Sequence, residues 1–320
     1  MPGWGDILQE IQASADPATG AIEIDPIRRR YIKALHDLTG NAVVVYATDW
    51  MGTSSGNTQI VLQDMQGLME VFRDLNNPNL DLILHSPGGQ AEAADRLVGY
   101  MRSKFERVRV IIPLAAMSAA TMWALSADEI VMGKHSQVGP IDPQITLPSG
   151  ITVPAGALIA QFQEASDQCA SDPARLTGWL PTLQQYPPGI LNVCENASSL
   201  AVTLVAKWLE QYSFAGQPDA AAKAQRVAQW FGDDATHLSH GRAITREELR
   251  AQDLPITDLE DDSELQDAVL SVHHAFMHTF GVGSAVKVIE NHLGRAFIQH
   301  DANALQMAQN PQQPGGGAAL

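Results

Sequence analysis

Apolar residues in the first half of the chain come in short unbroken runs. "NAVVVYAT" (41–48), "LDLILH" (80–85), "RVRVIIP" (107–113) and "EIVM" (129–132) lack the strict alternation of a half-exposed strand. They therefore predict strands covered on both faces. Between them the spacing changes. "TQIVLQDMQGLMEVFRDL" (58–75) and the stretch from Ala91 to Lys104 repeat apolar residues at helical spacing, and "MSAATMWALSAD" (117–128) reads as an alanine-rich helix. Strands alternating with helices predict an α/β fold: a mostly parallel sheet with helices on both faces and right-handed crossovers. Beyond about residue 150 the pattern turns helical, over 155–169, 195–213, 218–231, 245–252 and 263–280.

Four regions follow from this patterning. Residues 1–40 read as a polar N-terminal arm with a basic helical patch, "IRRRYIKALHDL". Residues 41–150 form the α/β core. Residues 151–305 are a helical region that completes the fold and offers contacts for an oligomer. Residues 306–320, which end in "QNPQQPGGGAAL", are expected to be disordered because they carry too little apolar surface to bury.

Composition narrows the function classes. The net charge of −16, from 36 acidic and 20 basic residues, disfavours nucleic acids and anionic membranes as partners. The two cysteines, Cys169 and Cys194, have no metal-site spacing and suit a reducing compartment. The start of the chain lacks a basic segment followed by an apolar run, and no apolar stretch reaches the roughly 18 residues of a membrane span. A cytoplasmic protein is the expectation. His274 and His278 stand four apart, a spacing that can hold a metal, but no HExxH arrangement accompanies them. A core helix is the preferred reading there, and no metal or other cofactor is expected.

The candidate chemistry lies at two strand-to-helix turns. His85-Ser86-Pro87-Gly88-Gly89 follows the second strand, and Ala116-Met117-Ser118 follows the third. Ligands of open α/β sheets bind outside the carboxyl ends of strands, so neighbouring strands would bring these turns face to face. Glycine permits close backbone approach and unusual dihedrals. A serine at a helix start sits beside unengaged N–H groups. Together the turns are able to form an oxyanion hole with a serine beside it, each donor contributing roughly 3 kcal/mol to a tetrahedral intermediate.

"SPGG", then "AMSAAT" about thirty residues on, then "ADEIVMGKHSQVGPID" resembles the Clp protease/crotonase superfamily. It is closest to the signal peptide peptidase A-like and serine dehydrogenase proteinase branch, and "HLSHGRAITREELRAQDLPI" resembles a later segment of that branch. The resemblance implies a serine peptidase acting on protein or peptide. Ser118 would be its nucleophile. Backbone N–H groups of Gly88 or Gly89, with that of Ala119, would form the oxyanion hole. It also implies a homo-oligomer.

The sequence departs from the family at the general base. Where Clp-type proteases carry a histidine, this chain has Ile141 followed by Asp142, and no lysine occurs between about 155 and 175. Lys207 on an apolar helix, His240 in "HLSHGRAI" and Asp142 are the candidates for base or orienting group. Two other functions stay open: a crotonase-like acyl-CoA enzyme using the same oxyanion hole, and a catalytically silent scaffold.

Overall fold

The structure, a computed structural model, describes residues 3–20, 22–52 and 56–301. The expected disordered tail, 306–320, lies outside the described residues. Helices α1 (Trp4–Ala13) and α2 (Ile24–Thr39) precede strand β1 (Ala42–Thr48). Then follow α3 (Asp64–Val71), β2 (Asn79–His85), α4 (Ala91–Lys104), β3 (Arg107–Ile112), β4 (Ala115–Ala116), α5 (Ala119–Ala124) and β5 (Glu129–Met132). Short strands β6 (Gln137–Val138), β7 (Gln144–Thr146) and β8 (Thr152–Pro154) lead into α6 (Ala155–Ser171), α7 (Leu176–Leu183), α8 (Ile190–Gln211), α9 (Ala220–Gly232), α10 (Asp234–His237) and α11 (Arg246–Ala251). The chain returns to the sheet through β9 (Ile256–Asp258), α12 (Ser263–Val282), β10 (Ala285–Asn291) and β11 (Ala296–His300).

The seven-stranded sheet has the order β11-β10-β1-β2-β3-β5-β9. From β1 to β9 the neighbours run parallel, and β10 pairs antiparallel with both β1 and β11. Alternate residues of each strand face opposite layers, which is why the strands read as unbroken apolar runs. Val44, Tyr46, Leu82, Leu84 and Val110 meet α4, α5, α8 and α9. Val43, Val45, Ile83 and Ile111 meet α2 and α12.

The N-terminal region is more than a free arm. Ile27, Ile32 and Leu35 of α2 are buried, and Arg28 reaches Glu290 of β10 with both side chains fully enclosed. The basic patch thus holds α2 to the sheet. Beyond residue 150 the helical reading omitted α7, α10 and four strands, β8, β9, β10 and β11. That region completes the sheet as well as the helical layer. The helix expected over 58–75 forms only across Asp64–Val71, and upstream of it Ile60 instead forms a bridge with the glycine turn.

Candidate active site

The carboxyl ends of β2 and β3 are neighbours, and their turns are bonded to each other. The Ser86 N–H donates to the Ala115 carbonyl (3.1 Å), and the Met117 N–H donates to the Ser86 carbonyl (2.9 Å). Beyond this rung the chain makes a sharp turn at Ser118, with φ 51° and ψ −120°. Non-glycine residues rarely occupy this region, at a cost on the order of 1–3 kcal/mol. The turn leaves Ser118 partly exposed between buried Met117 and buried Ala119. The Ala119 N–H opens α5 and so belongs to the amides a helix does not itself engage.

Both glycines are required by sterics. Gly88 has φ 94°, and a Cβ there would fall 2.7 Å from the Ala119 nitrogen and against the Met117 carbonyl. Gly89 has φ 153°, and a Cβ there would fall 2.6 Å from the Ile60 nitrogen. The two differ in what their N–H groups do. That of Gly88 donates to Ser86 Oγ (3.2 Å). Gly89 forms a parallel bridge with Ile60, in which Ile60 donates to the Gly88 carbonyl (2.7 Å) and accepts from the Gln90 N–H (3.0 Å). In such a bridge the middle residue's own N–H points away from its partner. Gly89 lines the cavity, and its N–H is not engaged by Ile60.

This cavity, of about 610 Å³, brings together Ser118, Gly88, Gly89, Asp142 and His240. Met122, Ile141, Leu200 and Ala201 give it an apolar wall. His240 Nδ1 lies 2.8 Å from Asp142 Oδ1. Asp142 is nearly sealed from solvent, and its second oxygen accepts from Gln144 Nε2 (2.6 Å). His240 comes from a distant stretch of chain, positioned by backbone. Val138 and Ile244 exchange two hydrogen bonds (3.1 and 2.9 Å), which seat the 239–243 loop beside Asp142. Arg242 donates to His237 Nδ1 (3.1 Å), and the other ring nitrogen of His237 bonds the Trp230 carbonyl (2.7 Å), securing that loop from behind.

Lys207 has a different place. It sits on an exposed face of α8 and is not among the cavity's lining residues. The helix is apolar because its opposite face, Val205, Trp208 and Leu209, is buried. His274 and His278 pack against Trp4, and His278 Nε2 bonds the Trp4 carbonyl (3.0 Å).

Two further groups near the turns were not singled out from sequence. His85, directly before the glycine turn, is buried against His273 of α12, their ring centroids 5.2 Å apart. Burial lowers its pKa to about 4, opposed by a hydrogen bond to the Ala115 backbone. Lys287 of β10, also enclosed, donates to Asp64 Oδ1 and to the Gln59 carbonyl, both at 2.7 Å. Burial lowers the Lys287 pKa, while the Asp64 carboxylate pulls it back. Local sequence gives no sign of this second pair, whose members are 223 residues apart.

Residues 59–195 match the ClpP-like SDH-type serine proteinase family. The segment contains the glycine turn, Ser118 and Asp142, and it ends before His240. The likeness to the Clp protease superfamily read from the motifs holds across it. Two uncharacterized proteins of Methanocaldococcus jannaschii are 38% and 36% identical to this chain over 87 residues, 27% of the chain. The chain spans 30% of the length of each of these curated relatives. Among solved structures, the membrane-bound stomatin-specific protease 1510-N is similar in two variants, one in complex with a substrate peptide. The first is 16% identical with a TM-score of 0.37, over 66% of this chain and 79% of that one. The peptide complex is 17% identical with the same TM-score, over 65% and 74%.

Proposed function

We propose that the protein is a serine peptidase in which Ser118 is the nucleophile, His240 the general base and Asp142 the group that orients it. The observation that carries this reading is the single cavity shared by Ser118, the Gly88-Gly89 turn and the His240–Asp142 pair. With Nδ1 engaged by Asp142, His240 has Nε2 left to take the Ser118 proton. The serine oxygen then attacks the carbonyl carbon of a peptide, whose oxygen becomes an anion held by the Gly89 and Ala119 N–H groups. Collapse of this tetrahedral species breaks the C–N bond. His240 returns its proton to the departing amine, and water attacks the acyl-enzyme by the same route.

The match to a serine proteinase family over 59–195 supports the reaction class. The strained turn at Ser118 supports the nucleophile, since exposing a serine at the top of a sheet requires such a turn. A homo-oligomer acting on protein or peptide substrates in the cytoplasm completes the proposal. The apolar, solvent-facing helix α7 supports the oligomer, and light scattering tests it.

Fluorophosphonate labelling tests the chemistry. Wild type is expected to label and Ser118→Ala to stay dark. His240→Ala is expected to lower the labelling rate by roughly a thousandfold or more and Asp142→Asn by a similar factor, while Lys207→Ala labels as wild type. Equal labelling of His240→Ala and wild type would remove His240 from its role. A folded wild type that never labels would favour the silent scaffold. Tight binding of an acyl-CoA would favour the crotonase-like enzyme.

A further inference from the structure

We propose that Lys287 polarises the oxyanion hole from a distance, its ammonium acting on the Gly89 N–H through two hydrogen-bonded peptide units. This rests on the reading of Ser118 as nucleophile with Gly89 as an oxyanion donor. Lys287 Nζ donates to the Gln59 carbonyl (2.7 Å). That carbonyl belongs to the same peptide unit as the Ile60 N–H, which donates to the Gly88 carbonyl (2.7 Å). The Gly88 carbonyl in turn belongs to the same peptide unit as the Gly89 N–H, which the Ile60 bridge directs away from Ile60. The chain thus runs from an ammonium, through the peptide units 59–60 and 88–89, to the N–H that faces the cavity.

Each member of such a chain polarises the next, and low-dielectric surroundings preserve the effect. The surroundings here are closed. Both Lys287 and Asp64 have no exposed side-chain surface, and the Gly88 carbonyl is engaged by Ile60. Asp64 is held on its other oxygen by the Tyr46 hydroxyl (2.7 Å) and the Val61 N–H (3.0 Å), so the anion is fixed within the 59–64 segment. Packing alone does not call for an ion pair at this site, because apolar residues of similar volume commonly serve as well or better. A buried cation directed at one peptide carbonyl is what a polarising role calls for.

Lys287 does not touch the substrate in this scheme. It acts through Ile60 and Gly89, so its effect belongs to the step in which negative charge develops. The test removes both charges together, in Lys287→Gln/Asp64→Asn and separately in Lys287→Met/Asp64→Leu, so that no lone ion is left buried. In the folded double variants the Gly89 amide proton is expected to move upfield. The maximal rate constant of fluorophosphonate labelling should fall about tenfold, with the reagent's initial binding unchanged. A purely structural role would not separate these two constants.

The proposal is overturned if a folded double variant keeps the Gly89 amide shift of wild type, or if an active wild type and its folded double variant label within twofold of each other. Where wild type itself does not label, the peptidase reading fails separately, and the amide shift alone decides the polarisation. The wild-type protein provides a check without substitution. Its Gln59 and Gly88 carbonyl carbons are expected to be deshielded, and ordinary shifts at both would overturn the proposal.

Discussion

At Gly89 the backbone touches two neighbours at once. One side is packed against Ile60, and the other faces the cavity. A methyl group on the first side would collide with the Ile60 backbone, which cannot rotate aside as a side chain does. Gly89→Ala is therefore expected to cost about 2–3 kcal/mol of stability and to abolish fluorophosphonate labelling, measured by denaturant melts and gel fluorescence on the same sample. Gly88→Ala should behave alike, for a second reason: its Cβ would press on Ser118 itself. At this scale the sequence was highly legible. Pro-Gly-Gly after one apolar run and a serine among alanines after the next announced the turns, because only residues without bulk tolerate such approaches. The proposed general base was less legible. His240 lies 98 residues from Asp142, and nothing local marks it as the partner.

Among the elements, β10 best shows where pattern reading stops. It carries Lys287, Glu290 and Asn291 inside the sheet, and all three are buried. A run with two charges reads as surface or loop. It forms a strand beside β1 because each polar group finds a partner from elsewhere. Glu290 meets Arg28 and Arg29 of α2, Lys287 meets Asp64, and Asn291 donates to the Val71 carbonyl (2.6 Å). Breaking such a pair from one side costs more than replacing both members. Arg28→Met is expected to destabilise the protein by about 3 kcal/mol, while Arg28→Met/Glu290→Leu should recover most of that loss. Chemical denaturation of the two variants measures the difference. Equal loss in both would mean that Glu290 has no unmet need for Arg28.

For the molecule as a whole, acid stability depends on the histidines between the sheet and α12. His85 has a folded-state pKa of about 4 against an ordinary 6.5, chiefly through burial, and burial beside His85 also holds His273 well below its usual range. The folded state therefore favours neutral His85, whereas the unfolded chain takes up a proton near pH 6.5. Stability is complete above pH 6.5 and falls as pH drops from 6.5 towards 4, by up to roughly 3 kcal/mol for His85 alone. Thermal melts across this window should show the decline, and His85→Gln should flatten it. A wild-type melting temperature constant from pH 7 to 4.5 would contradict the assignment.

Among the described residues no helix is long and apolar enough to cross a membrane. Local patterning is enough to place the parallel strands β1, β2, β3 and β5, the helix after the glycine turn, and that turn opposite Ser118. Hydrophobic period and glycine sterics are local, and neighbouring parallel strands follow one another in the chain. Tertiary structure decided the rest. It closed the sheet with β9, β10 and β11, turned Lys207 outward, seated His240 against Asp142, and placed Lys287 behind the Gln59–Ile60 peptide. Lys207 turns outward because the opposite apolar face of α8 is buried, while the His240–Asp142 and Lys287–Asp64 pairs depend on a polar group meeting a partner far away along the chain. Burying such a group is unfavourable until that partner is present, so no local stretch of sequence records the outcome.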